Sequence, residues 1–185
     1  MRVVGGKWKS RKLNSFLKFS TNSVIRPTTD RVKENIFNIL ETIKTGNPIV
    51  GAKVLDIFCG TGSMGIEAIS RGASFCHFVD QSLISKKITE KNIQKLSCQE
   101  ETRFTLKDVL EIGHCDHDRA DIVFLDPPYK KRIAEKSIQK LFQLSWIDEK
   151  TLLILEKGKD ELFKSDFRLF DKRNYGNTEI LFLKF

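Results

Sequence analysis

The chain has 185 residues, 40% of them hydrophobic, and a formal net charge of +8. That is enough apolar material for one domain with a sizeable core, and it excludes wholesale disorder. No apolar run reaches membrane-spanning length, no signal-peptide core follows Met1, and Cys59, Cys76, Cys98 and Cys115 form no CxxC pair, so a cytoplasmic protein with reduced thiols is expected.

The charge is not spread evenly. Residues 1–33 carry nine basic side chains and one acid, while the remainder balances 23 basic against 23 acidic residues. A basic arm on a neutral body suggests a polyanionic partner, against the plainer reading of a terminus kept solvated by charge. Within the arm, residues 1–13 read as a small hairpin around Gly5-Gly6, with Val3, Val4, Trp8 and Leu13 among the basic residues. Trp8, between Lys7 and Lys9, either stacks on a base or pins the hairpin to the domain. Arg11 and Lys12 extend the same patch. Pro27-Thr28-Thr29-Asp30 opens a helix that buries Val32, Ile36, Phe37, Ile39, Leu40 and Ile43. Arg26, Thr28, Asp30 and Arg31 could line a substrate cleft at the entry to that helix, although capping is the favoured account of the cluster. Thr45-Gly46-Asn47-Pro48 breaks the pattern, so residues 1–46 are expected to form an extension and 47–185 the main domain.

From Lys53 strands and helices alternate. Strands are expected at 54–58, 75–80, 103–106, 122–125 and 151–155, and helices at 63–71, from Ser82 onward and at 133–144. A last hairpin, 167–170 and 178–183, turns at Tyr175-Gly176-Asn177. This order predicts a doubly wound α/β sheet, mostly parallel.

The strand ends carry the chemistry. Asp56 precedes Gly60-Thr61-Gly62, a glycine turn at the mouth of a helix that lacks the Gly-Lys-Ser/Thr of a phosphate loop. Counted through Gly65 the glycines also match a dinucleotide fingerprint, so a nicotinamide enzyme stays open at that point. Asp80 ends the second strand, where an acid suits a ribose diol, and Asp108 ends the third, in reach of an adenine amino group. Each alone is an ordinary strand-end cap. Ammonium, ribose and adenine in sequence describe S-adenosyl-L-methionine better than a ligand needing its pyrophosphate at the glycines. Phe58, Gln81 and Val109 lie beside these acids and complete the candidate cofactor site.

The fourth strand ends in Asp126-Pro127-Pro128-Tyr129. Two prolines stop the strand rigidly at the carboxyl edge, where open α/β sheets place ligands. Asp126 and the Pro127 carbonyl can accept both N–H bonds of an exocyclic amine while Tyr129 stacks on its ring; a proline turn with a capping Asp is the plainer alternative. His114-Cys115-Asp116-His117 bunches metal-ligand types in one short loop, but it reads as solvated surface and no metal is expected.

From Asp56 to Tyr129 the chain resembles class I S-adenosylmethionine-dependent amino-methyltransferases, whose hallmarks are the glycine loop and an Asn/Asp-Pro-Pro-aromatic tetrad. Over essentially its full length it is similar to the RsmD-type 16S rRNA (guanine-N2)-methyltransferases of bacteria. The similarity runs through Val3-Val4-Gly5-Gly6-Lys7-Trp8, Arg26-Pro27-Thr28-Thr29-Asp30-Arg31-Val32-Lys33-Glu34, Leu55-Asp56-Ile57-Phe58-Cys59-Gly60-Thr61-Gly62 and Tyr175-Gly176-Asn177-Thr178. Cys59 and Ser63-Met64 depart from the small apolar residues usual in the loop. The resemblance implies a Rossmann-like sheet with a C-terminal antiparallel hairpin. It also implies methyl transfer to guanine N2 of 16S rRNA, free or within an assembling or assembled small subunit, by a monomer. Other readings are an adenine-N6 or cytosine-N4 nucleic-acid methyltransferase and a non-catalytic RNA-binding module. A DNA enzyme would need a larger target-recognition region, and a bare binding module would have no use for the strand-end acids.

Overall fold

A computed structural model describes residues 1–15, 29–43, 46–128, 132–164 and 166–185. Arg26 and Tyr129, singled out above, lie outside the described residues.

Seven strands form one sheet in the order β3-β2-β1-β4-β5-β7-β6. They are β1 (Lys53–Ile57), β2 (Phe75–Asp80), β3 (Thr102–Leu106), β4 (Ile122–Leu125), β5 (Leu152–Gly158), β6 (Arg168–Tyr175) and β7 (Thr178–Lys184). The first five are mutually parallel, while β7 runs antiparallel to both β5 and β6. The Val, Ile, Leu and Phe content of β1, β4 and the first half of β5 follows from burial on both faces, which leaves no polar side for alternation to mark, whereas edge strand β3 is only partly buried. Chain order reverses between β1 and β4, which opens a crevice at their carboxyl ends.

Helices α1 (Asp30–Glu41), α2 (Ser63–Ser70) and α3 (Leu83–Leu96) contribute to the core on one face of the sheet, where Phe37, Ile66 and Ile93 join Val54, Phe124, Ile154 and Phe182. On the other face α4 (Ile133–Gln143) and Trp146 pack over Leu55, Val123, Leu153 and Leu181. Fully burying one large side chain such as Phe37, whose ring lies 5.5 Å from that of Phe124, contributes about 1.5–3 kcal/mol. Val3 and Leu13 belong to the first cluster, so the N-terminal segment shares the core.

The expected hairpin at the N-terminus is present in a compact form. Arg2 and Lys12 make an antiparallel bridge, and a 3-10 turn at Gly6–Trp8 closes the loop. Gly6 has φ +70, and a Cβ there would lie 1.8 Å from the Ser70 carbonyl oxygen, so glycine lets the turn lie directly on the end of α2.

Two strands exceed their expected bounds by more than one residue. β5 continues through Glu156, Lys157 and Gly158, because β7 pairs with it along that whole stretch. β6 extends to Tyr175 through Asp171-Lys172-Arg173-Asn174, a polar run that an edge strand tolerates because mainly water covers it. In the opposite sense β1 stops at Ile57, and Phe58 takes a left-handed φ of 59°.

Candidate active site at the carboxyl edge of the sheet

The glycine turn is built by backbone bonds to the neighbouring strand. Phe58 and Cys59 donate N–H bonds of 2.9 and 3.3 Å to the Val79 carbonyl, which bends the chain out of β1. A bulky residue at positive φ is a costly conformation that tends to occur at functional sites. Gly60 (φ 56°) and Gly62 (φ 72°) continue the turn, and Gly62 caps α2. A Cβ on Gly65 would lie 2.3 Å from the Cys76 Sγ, so that glycine lets α2 seat against β2.

The acids occupy distinct positions around this turn. Asp56 is 4% exposed, and its Oδ2 accepts the Gly65 N–H at 2.9 Å. Burial, with a smaller contribution from the Asp80 charge, pushes its carboxyl up to about 8 against the lowering effect of the Gly65 bond. Asp80 is half-buried; its Oδ2 accepts from Gly60 N–H at 2.9 Å and its Oδ1 from Ser82 N–H at 2.8 Å. One carboxylate thus ties the glycine turn to the start of α3. Asp108 caps the 3-10 turn Val109–Glu111 through Leu110 N–H at 2.9 Å, next to buried Val109. Gln81 is exposed at the rim.

Asp126 follows β4 directly, and its N–H lies 3.5 Å from the Ile57 carbonyl, in line with the β1–β4 register. It keeps an open face toward solvent, Pro127 is buried and Pro128 is exposed. Desolvation by the protein packed behind it, then the like charges of Glu156 and Asp56, push the Asp126 carboxyl upward; the open face tempers that push. Among the described residues no cation pairs with Asp126 and no donor reaches the Pro127 carbonyl.

This set of acceptors fits S-adenosylmethionine. Carboxylates at the turn and at three strand ends suit a ligand bearing an ammonium, a sulfonium and a ribose diol. A dinucleotide would instead bring its pyrophosphate against Asp56 and Asp80. Asp80 retains acceptor capacity beyond its two backbone bonds, because a carboxylate offers about four lone-pair sites.

The family model described as Conserved hypothetical protein 95 matches residues 1–184. The putative rRNA methyltransferase YlbH of Bacillus subtilis is 32% identical over 190 residues, covering 100% of this chain and 98% of that protein. Ribosomal RNA small subunit methyltransferase D of Haemophilus influenzae is 33% identical over 87% of this chain and 80% of its own length. The chain belongs to that methyltransferase D family. Its fold agrees: a solved structure titled putative methyltransferase yhhF from Escherichia coli superposes with a TM-score of 0.81 at 27% identity, covering 100% of this chain and 97% of that one. The sheet is therefore the Rossmann-like sheet of methyltransferases, and methylation of rRNA is the activity its relatives' names carry.

This family member holds its N-terminal segment through a buried charge network invisible in local sequence pattern. Glu67 of α2 is fully buried and accepts from the N–H groups of Val4 (2.8 Å) and Gly5 (2.7 Å) and from Arg71 Nε (2.9 Å). Lys33 of α1, also fully buried, lies 3.5 Å from Glu67 and donates to the Arg2 carbonyl at 2.6 Å. Burial lowers the Lys33 pKa, and Glu67 acts against that lowering. Fully buried Asn92 of α3 links Asn14, whose N–H it accepts at 2.7 Å, to the Thr61 carbonyl of the glycine turn at 3.0 Å.

The basic candidates divide. Lys7 pairs with Glu101 at 3.0 Å and lies 4.3 Å over the Trp8 ring, while Trp8 packs on the core and donates its backbone N–H to Ser70. Trp8 therefore pins the hairpin. Lys9, Arg11, Lys12 and Arg31 are exposed. Thr29 caps α1, and Asp30 instead binds Arg2. The His114–His117 loop is more engaged than solvated surface: buried His77 needs polar partners and finds them in His117 (2.9 Å) and Thr105 (2.8 Å). Among the described residues no three side chains converge as a metal site.

Proposed function

We propose that the protein transfers a methyl group from S-adenosylmethionine to the N2 amine of a guanine in 16S rRNA. The observation carrying this reading is Asp126-Pro127 at the end of β4, one strand from a glycine turn that fits the methyl donor. The cofactor supplies an activated methyl on a sulfonium. Asp56, Phe58, Gly60, Gly62, Asp80, Gln81, Asp108 and Val109 form its cradle.

Guanine N2 is a weak nucleophile because its lone pair is delocalised into the ring. Hydrogen bonds from the amine to Asp126 and the Pro127 carbonyl orient that lone pair and stabilise the positive charge that develops on nitrogen. Tyr129 stacks on the base. Holding the amine still against the bound methyl donor would supply much of the remaining acceleration. The base must leave its stack to reach this edge. The basic extension, residues 1–46, holds backbone phosphates through Lys9, Arg11, Lys12, Arg26 and Arg31, while 47–185 carry the transfer. The protein works in the cytoplasm as a monomer on an assembling or assembled small subunit.

The test is incubation with labelled cofactor and undermodified small-subunit RNA, free and assembled, followed by mass-spectrometric mapping. A single N2-methylguanine is expected. Label on adenine, on cytosine or nowhere overturns the reading.

A further inference from the structure

Glu156, in the second half of β5, has no part in the reading above. In the parallel β4–β5 register Phe124 faces Ile154 and Leu125 faces Leu155, so the next step sets Asp126 beside Glu156. Side chains alternate along both strands: Phe124 and Ile154 point into the first core cluster, Leu125 and Leu155 into the second. Asp126 and Glu156 therefore return to the first face together, on strands about 4.8 Å apart. Glu156 is half-buried, and its charge acts on Asp126. The following residue, Lys157, points the other way and pairs with Glu179 at 2.8 Å.

Resting on the proposed guanine-N2 reaction, we infer that Glu156 is the residue that selects guanine, by accepting the N1–H bond while Asp126 and Pro127 hold N2. Guanine alone among the four bases offers an N1–H donor directly beside a ring amine at N2. Adenine N1 and cytosine N3 carry a lone pair at the corresponding position, and a carboxylate set there repels them. The same side chain thus attracts the right base and rejects the wrong ones. Two carboxylates on adjacent strands suit an edge with two donors in a row. A flipped base is read through such Watson–Crick edge bonds.

The deciding substrate is 2-aminopurine, which keeps the exocyclic amine of guanine but has no hydrogen on N1. Small-subunit RNA carrying either base at the mapped target is methylated by wild type and by Glu156→Gln and Glu156→Ala, with cofactor affinity measured in parallel. Wild type should prefer guanine by roughly 10–100-fold in kcat/KM, the scale of one hydrogen bond to a charged group. Glu156→Gln, whose amide can donate to the bare N1, should reduce or invert that ratio, and Glu156→Ala should flatten it. Cofactor affinity should stay unchanged. Comparing ratios between enzymes cancels the intrinsic difference in reactivity of the two amines. A wild type indifferent to the base, or variants with an unchanged ratio, overturns the role of Glu156 and leaves the N2 reaction standing. Absence of N2 methylation on either RNA overturns the reaction itself, and this inference with it.

Discussion

A carboxylic acid at the end of a buried strand is either an ionised anchor or a neutral group, and Asp56 leans toward the second. Asp56 carries a pKa raised to about 8 by burial, far above that of an unfolded aspartate, about 3.9. Between those values the folded chain binds a proton that the unfolded chain has released. Stability from this group is therefore complete below about 4 and falls as pH rises to about 8. Asp56→Asn keeps an acceptor for Gly65 N–H and removes the titration, so its melting temperature should depend less steeply on pH across that window. Parallel pH curves for the two proteins would show that Asp56 is not the source. Asp126 should separate chemistry from binding. Asp126→Ala is expected to lower turnover by roughly 10²–10³, the scale of removing one electrostatic partner, with little change in cofactor affinity by calorimetry. Asp126→Asn retains a carbonyl acceptor and should keep part of the activity. Wild-type turnover in folded Asp126→Ala protein would sink the mechanism proposed for the tetrad.

At the scale of elements, local pattern was enough for the alternating strands and helices. The glycine turn and the acids at 56, 80, 108 and 126 were legible because strand–helix alternation fixes where strands end. Glu156 leaves no local signal, because the apolar run ends at Leu155, where charged residues begin, and pairing with β7 carries the strand further. β6 hid for the same reason, since Asp171-Lys172-Arg173-Asn174 has the composition of a loop. Glu67 left no local signal at all, as it serves backbone donors 62 and 63 residues earlier in the chain. Removing it tests how firmly α2 holds the N-terminal segment. Glu67→Met leaves Lys33 buried without its counter-charge and two N–H groups without an acceptor, and should cost about 3–5 kcal/mol in denaturant unfolding. Adding Lys33→Met should recover part of that loss and not all of it, because Val4 and Gly5 still lack an acceptor. A loss below about 1 kcal/mol in the single variant would mean that the network contributes little.

On the whole molecule the charge and the chemistry lie at different places, joined through the core. The net charge of +8 resides formally in the first 33 residues, while Asp56, Asp80, Asp108 and Asp126 lie toward the carboxyl ends of β1 to β4. Asn14, Asn92 and Thr61 connect the two regions by hydrogen bonds, so the backbone of the arm belongs to the support of the glycine turn even where its side chains face water. This distinguishes the exposed cations from Lys7, whose ammonium is committed to Glu101 and the Trp8 ring. Replacing Lys9, Arg11 and Lys12 with Ala leaves that backbone in place and removes only outward charge. RNA binding should weaken, and its logarithmic salt dependence should flatten by about 0.7–0.9 for each phosphate that is no longer neutralised. Cofactor affinity should hold. Lys7→Ala should behave differently, loosening the hairpin and lowering thermal stability more than it lowers the salt slope. Titrations over a range of salt concentrations read the slope, and thermal melts read the stability. If the triple variant keeps the wild-type affinity and slope, RNA is held by another face of the molecule, and the exposed charge of the arm serves solvation alone.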